Sequence, residues 1–320
     1  MQFYIIRRVL LIIPTLLLIT VIVFLTVRFI PSDVIDMMIN EMFTQFATGE
    51  ELTREYLQQA LGLDKPIHVQ YGEWLSNVVR GDLGKSLWTQ RGISEEMLSK
   101  LPVSLELGII AIVAGLLISI PIGIFSAIRQ DTLGDYAGRT VAILGISVPN
   151  FWVATMVFVF PSIWWNWIPE IKYIPFTQDP ARNLLQFIIP GLIMAMAFSG
   201  GIMRLMRTMM LEVLRQDYVR TAWSKGLRER VIIFKHAMKN ALIPVVTVVG
   251  MQLPVLIGGV VIIEQIFSLP GIGRYLFEAV NRRDYPIISG INLVIASVVL
   301  VVNLLVDLTY AYLDPRIRYG

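Results

Sequence analysis

The chain has no cysteine, only two histidines and few charges. Without cysteine there is no disulfide, no thiol nucleophile and no thiolate-bound metal. His68 and His236 alone do not make a histidine-rich metal site. Charged residues are 16% of the 320, against about 25% in a soluble domain. The formal net charge of +3 is too small to point to nucleic acid. What fills the gap is apolar: 55% of the residues are hydrophobic, and the mean hydropathy is +0.66.

That apolar content is organised. The windows 9–27, 107–128, 140–169, 183–203, 240–263 and 285–306 contain no charged residue. A membrane-spanning helix needs about 20 such residues. In lipid the backbone must satisfy its own hydrogen bonds, so spans of this kind are helices. The sequence therefore predicts an all-α integral membrane protein with six transmembrane helices, a single transmembrane domain over 1–320. The first window is too long for a signal peptide and is followed by Arg28-Phe29-Ile30-Pro31, with no small-residue cleavage site, so it is expected to remain as an anchor.

Charge sets the expected orientation. Between windows four and five, residues 204–239 carry Arg204, Arg207, Arg215, Arg220, Lys225, Arg228, Arg230, Lys235 and Lys239 against three acids. Arg7 and Arg8 precede the first window, and Arg316 and Arg318 follow the last. The positive-inside rule places this loop and both termini in the cytoplasm. Residues 31–106 then form an external segment. Within it, Glu51–Leu61 has helical apolar spacing, ended by Gly62. Tyr71, Trp74, Leu75 and Val78 form the apolar face of a second helix near 69–79, and Ser94-Glu95-Glu96-Met97 is a start signal for a short third one.

The external segment also contains Val79-Arg80-Gly81-Asp82-Leu83-Gly84-Lys85-Ser86-Leu87, whose Gly-Lys-Ser ending is that of a nucleotide-binding P-loop. The P-loop pattern requires glycine at position 79, where this chain has valine, and a strand before the loop, where the pattern is helical. The stretch reads instead as a structured turn. Gly81, Asp82 and Lys85 there, with Arg283 and Asp284 before the last window, are candidates for external docking.

Residues 204–240 carry the most information. Leu211, Leu214, Tyr218 and Ala222 fall at helical spacing from Met209 to Lys225, Gly226 is a stop signal, and a second helix is expected from Arg228 towards Asn240. A basic helix can simply lie on anionic headgroups. Asp217, the Gly226 turn and a tight second helix favour a cytoplasmic protein partner instead.

These residues resemble the coupling segment, or EAA loop, of permease subunits in ATP-binding-cassette importers. "RQDYVRTAWSKGL" and "HAMKNALIPVVT" are similar to the dipeptide/oligopeptide branch. So are "RRVLLIIPTLL", "LGLDKPIHVQY", "RGDLGKSL", "LPVSLELG", "GISVPNFW", "FSLPGIGRYLFEAVNRRDYPII" and "LDPRIRY", in that order along nearly the whole chain. The broad pattern begins Glu-Ala-Ala; here Arg220, Thr221 and Ala222 stand at those positions, with Gly226 kept.

The resemblance implies a B-type permease subunit in a prokaryotic inner membrane. It also implies a homologous C-type permease, two cytoplasmic ATPase subunits and an external substrate-binding protein as partners. ATP and Mg would belong to the ATPases, with no cofactor and no catalytic residue in this chain. Coupling would fall to Asp217, Tyr218, Arg220, Thr221, Ala222, Trp223, Lys225 and Gly226, with Tyr218 and Trp223 as apolar anchors. Polar residues within the windows, namely Ser147 and Asn150 beside Pro149, Gln252 beside Pro254, Asn292 and Asn303, are candidates for the translocation path. They are equally candidates for helix–helix hydrogen bonds.

Branch relatives carry peptides, nickel, glutathione or oligosaccharides, so the cargo is open. A secondary transporter is the rival reading; it would normally couple through an ionisable group at mid-membrane or through broken-helix repeats, and here no charge lies mid-window and no internal repeat is visible. Ala197-Phe198-Ser199-Gly200 approaches an intramembrane serine protease motif, yet no window holds a histidine to act as base. Glu264 and Asp307 border apolar windows, where wetting of the span ends would be enough to accommodate them.

Overall fold

The structure is a computed structural model and describes residues 2–28, 64–166 and 173–313. The described residues are helical, with a single isolated bridge between Lys85 and Gly92. The helices are α1 (Gln2–Arg28), α2 (Ile67–Val79), α3 (Ile93–Ile128), α4 (Leu133–Ser147), α5 (Asn150–Trp165), α6 (Pro180–Leu214), α7 (Asp217–Ser224), α8 (Met238–Ile266), α9 (Ile272–Asn281) and α10 (Tyr285–Leu313). A turn of helix at Glu229–Val231 and a π-helical turn at Ile232–Ala237 lead without a break into α8. The expected helix at Glu51–Leu61, the "LDPRIRY" motif beyond Leu313 and the side chain of Asp307 lie outside the described residues.

Among the described residues four helical stretches are long and apolar enough to cross a membrane: Ile93–Ile128, Pro180–Leu214, Glu229–Gln252 and Tyr285–Val306. The third window departs from the expected single helix. It is broken into α4 and α5, bent by 94°, and the pair counts as a fifth crossing if taken as one span. The break lies at Val148-Pro149, where Val148 is extended (φ −90°, ψ 123°). The proline ring disfavours a helical conformation in the residue before it. The apolar part of α1, Leu10–Thr26, is shorter than the other four.

Two helices extend well past their windows. Ser94-Glu95-Glu96-Met97 does not start a separate short helix; it is the first turn of α3. With 36 residues at about 1.5 Å each, α3 is longer than the hydrocarbon thickness of about 30 Å. Likewise Met209–Leu214 belongs to α6, not to the loop helix that follows.

The chain forms two compact units, one built on Lys100–Tyr275 and one on Ile6–Ser99 with Leu276–Val298. In the first, α6 is the central element. Its buried Ile202, Met206 and Met210 pack with Ile124 and Ala127 of α3, with Ile233 and Ala237 of the π-turn, and with Ala241 and Val245 of α8. A second cluster joins Val103, Leu107 and Ala111 to Phe187, Ile193, Ile263 and Phe267. In the other unit α2 turns its expected face inward: Tyr71 and Trp74 lie against Phe24 of α1, and the Tyr71 hydroxyl is 2.8 Å from that of Thr20.

Candidate functional site

The eight-residue α7 begins where Gln216 takes an extended conformation (φ −75°, ψ 149°) and turns the chain out of α6. An isolated helix this short is not stable in water. Tertiary packing holds it: Val219 and Ala222 are buried with Ile232, against Val213 and Leu214 at the end of α6. The end of α7 is fixed by its backbone. Gly226 has φ +73°, its N–H donates to the Trp223 carbonyl at 2.9 Å, and the Leu227 N–H donates to the Ala222 carbonyl at 3.4 Å. This pair of bonds around a left-handed residue is a Schellman motif, and it satisfies two carbonyls that the helix end leaves open.

The expected coupling residues separate into two groups. Ala222 faces inward. Asp217, Tyr218, Arg220, Thr221, Trp223, Lys225 and Gly226 are exposed. Tyr218 does not continue the buried face of α6, contrary to the helical spacing read through Met209–Lys225; Val219 takes that place. The Tyr218 hydroxyl instead accepts a hydrogen bond from Asn240 Nδ2 at 2.7 Å, tying α7 to α8. Asp217 and Arg220 lie 3.7 Å apart, both open to solvent, a pair worth little on its own. Beside Tyr218 and Trp223, the exposed Leu227, Val231 and Phe234 were missed by sequence reasoning. Their signal was an apolar residue on an otherwise charged stretch.

The helix that leads into this element, α6, carries an ion pair to a buried carboxylate. Arg207 of α6 donates from Nε to Asp135 Oδ1 (2.8 Å) and from Nη2 to Oδ2 (2.7 Å). Asp135, in the first turn of α4, has no exposed surface. Its carboxylate also accepts from the Ser126 hydroxyl at the end of α3 and from the Asp131 N–H (3.0 Å).

A second buried carboxylate closes the start of α9. Glu264 has no exposed surface; the expectation that wetting accommodates it at a span end is incorrect. Its Oε1 accepts from Ser104 Oγ at 2.5 Å and its Oε2 from the Arg274 N–H at 2.9 Å, and the Gly273 N–H is also directed at it. Ser104 Oγ in turn accepts from the Ile272 N–H at 2.8 Å. The first N–H groups of a helix have no partner within it. Here Glu264, at the end of the preceding helix, and Ser104, from a distant segment, accept from them.

The turn at 81–86 is anchored from within. The Asp82 carboxylate accepts from the Gly84 N–H at 2.8 Å, and Ser94 Oγ donates to the Gly81 carbonyl at 2.9 Å. Gly84-Lys85-Ser86 is followed by a turn rather than a helix, so it lacks the helix N-terminus on which a P-loop relies. The Ser86 hydroxyl is buried and donates to Asp284 Oδ2 at 2.5 Å. Asp284 is 2% exposed and is no docking surface: its carboxylate is used inside the fold. Lys85 and Arg283 are exposed. Asp284→Ala is expected to reduce the amount of protein in the membrane, since a hydrogen bond to a charged group contributes about 1.5–3 kcal/mol. Lys85→Ala should leave that amount unchanged. Membrane abundance of the two variants checks both.

The path candidates fall on separate elements. Ser147 and Asn150 flank the α4–α5 break, the first exposed and the second half-buried. Gln252 of α8 is half-buried, with its amide opposite Gly201 of α6. Asn292 is half-buried in the other unit. Ser199 donates to its own helix at the Met196 carbonyl, 2.9 Å away, which is a packing arrangement and not that of an activated nucleophile.

Comparison with known proteins places these features in a family. Residues 119–319 match the model of the binding-protein-dependent transport system inner membrane component, and residues 1–108 match the N-terminal model of the same systems' membrane component. The chain is 39% identical to the dipeptide transport system permease protein DppB of Alkalihalophilus pseudofirmus, over 99% of both chains. It is 38% identical to the oligopeptide transport system permease protein AppB of Bacillus subtilis, over 100% of both. With DppB of Escherichia coli the identity is 35%, over 99% of this chain and 98% of the other. Among solved structures, an amino acid ABC transporter chain matches at TM-score 0.54 and 13% identity, covering 68% of this chain and 94% of that one. A chain of the inward-facing MetNI methionine ABC transporter matches at 0.51 and 12%, over 68% and 96%, and both likenesses concern the fold alone. The chain belongs to the family of binding-protein-dependent transport system inner membrane components.

Proposed function

We propose that this protein is one of two transmembrane subunits of an ATP-driven importer of dipeptides or oligopeptides. The observation that carries the reading is α7: a short helix, packed through Val219 and Ala222 onto Ile232, Val213 and Leu214, closed by the Gly226 turn, and exposing Tyr218 and Trp223, with Phe234 exposed on the π-helical turn that follows. A partner that moves such an element moves the helices it is joined to, because the element does not deform on its own. Full-length similarity to DppB and AppB supports a peptide cargo.

In this reading the chain crosses the membrane six times, with α1 as the first crossing and the α4–α5 pair as the third. Both termini and α7 lie in the cytoplasm, and the turn at 81–86 lies outside. A homologous C-type permease completes the path, two ATPase subunits hold ATP and Mg and grip α7, and an external binding protein delivers the peptide. Arg220 and Lys225 pair with acidic groups on the ATPase, and Gly81, Asp82, Lys85 and Arg283 lie where the binding protein docks. Ser147, Asn150, Gln252 and Asn292 line the path.

Cargo is identified by purifying the assembled complex with its binding protein and determining the bound ligand by mass spectrometry. Short peptides are expected. Nickel, glutathione or an oligosaccharide in their place would reassign the cargo.

A further inference from the structure

α4 and α6 are joined as one body along their length. A Cβ built on Gly145 would lie 2.9 Å from the Met196 carbonyl oxygen, and one on Gly200 would lie 2.5 Å from the Ala142 carbonyl oxygen. Residue numbers fall on α4 as they rise on α6: 145 with 196, 142 with 200, and 135 with 207. The helices therefore run antiparallel with backbones nearly touching. The Asp135–Arg207 pair closes this seam at the end nearer α7. Its position is tied to a third helix, since Ser126 of α3 donates to the same carboxylate, and a Cβ on Gly123 of α3 would lie 2.9 Å from the Met203 carbonyl oxygen of α6.

What the clamp connects is specific. Seven residues beyond Arg207, α6 ends at Leu214, which packs directly on α7. At the far end of α4 from Asp135 lies the 94° break with Ser147 and Asn150. A displacement applied to α7 enters α6 through Val213 and Leu214 and reaches the break through α4, provided α4 cannot slide on α6. Apolar packing resists separation but is non-directional. A bidentate guanidinium–carboxylate pair fixes register, because its two parallel bonds are lost together when either helix shifts.

We propose that Asp135 and Arg207 are positioning residues for coupling: they lock α4 to α6 so that movement of α7 reaches the α4–α5 break. This rests on the reading of α7 as the element driven by the ATPases.

Two measurements test it. The first compares Asp135→Asn, alone and in the intact importer, with the exchanged pair Asp135→Arg/Arg207→Asp. Asparagine keeps the shape but loses the charge and one acceptor. Peptide imported per ATP hydrolysed is expected to fall about 10-fold in Asp135→Asn and to recover in part in the exchanged pair, with the ATPase rate itself within about 2-fold of normal. An unchanged ratio overturns the proposal. So does a parallel fall of transport, hydrolysis and membrane abundance that leaves the ratio intact, the signature of a merely structural role.

The second measurement does not depend on transport. This chain has no cysteine, so within it spin labels attach only at the introduced Ala137→Cys on α4 and Thr208→Cys on α6, both exposed, in a complex assembled with cysteine-free partner subunits. Their separation is expected to be the same in nucleotide-free and ATP-trapped complexes, and to vary between the two only when Asp135→Asn is added. A separation that already changes between states without that substitution overturns the lock. A constant separation in a complex whose hydrolysis ignores changes in α7 keeps the lock and overturns the reading of α7 instead.

Discussion

Gly226→Pro is expected to leave the protein in the membrane and to abolish substrate-stimulated ATP hydrolysis by the assembled importer. The residue has φ +73°, a value closed to proline, whose ring holds φ near −65°. The substitution also removes the N–H that donates to the Trp223 carbonyl. Both halves of the Schellman turn are lost, and Leu227 leaves its place opposite Ala222. Nothing lies within 4 Å of a Cβ at this position, so the damage is to backbone shape and not to packing. The spanning helices and their buried clusters are untouched, which is why insertion is expected to survive. Gly226→Ala is the graded companion. A left-handed conformation costs an ordinary residue about 1–2 kcal/mol, so stimulation should weaken without disappearing. Hydrolysis by the purified complex, with and without loaded binding protein, reads both variants. Normal stimulation in Gly226→Pro would mean that α7 does not carry the coupling.

Glu264→Ala is expected to have the largest effect on stability. The carboxylate meets the N–H groups of Gly273 and Arg274 and the Ser104 hydroxyl, in a place closed to water. Its removal strands those donors, and each buried unpartnered polar group costs about 1–3 kcal/mol. Gly273→Ala attacks the same arrangement from the other side. Its Cβ would lie 2.6 Å from the Cα of Val261, and a backbone atom cannot turn aside as a side chain can. Overpacking of this kind costs about 1–3 kcal/mol. Both variants should show reduced membrane abundance and a lower unfolding temperature in detergent, Glu264→Ala the more strongly. Wild-type abundance and melting in Glu264→Ala would show that the start of α9 is held by other means.

What could be read from the sequence was what is encoded locally. Tyr71, Trp74, Leu75 and Val78 repeat at helical spacing, and these four are half-buried along α2. Gly226 marks a helix end because only glycine adopts that conformation without cost. The break between α6 and α7 carried no such mark. Gln216 is neither glycine nor proline, and it ends one helix and starts the next solely through an extended backbone. The α4–α5 break did carry one, since Pro149 restrains Val148, but a proline in an apolar window reads equally well as a freed carbonyl in a straight span. The two buried carboxylates were hidden for another reason. Asp135 finds Arg207 across 72 residues, and Glu264 finds Ser104 across 160. No periodicity or spacing rule reaches that far. The same limit applies to Asp284, which looked like a surface acid in a charged stretch and is enclosed by Ser86 across 198 residues.

The most direct test of the account is uptake of labelled dipeptides and oligopeptides into proteoliposomes. These would contain this chain with its partner permease and ATPases, with binding protein outside and ATP inside. The account predicts accumulation that requires ATP, the ATPases and the binding protein together, and that stops when this chain is omitted. Uptake by this chain alone, driven by a proton gradient and indifferent to ATP, would contradict it and point to a secondary transporter.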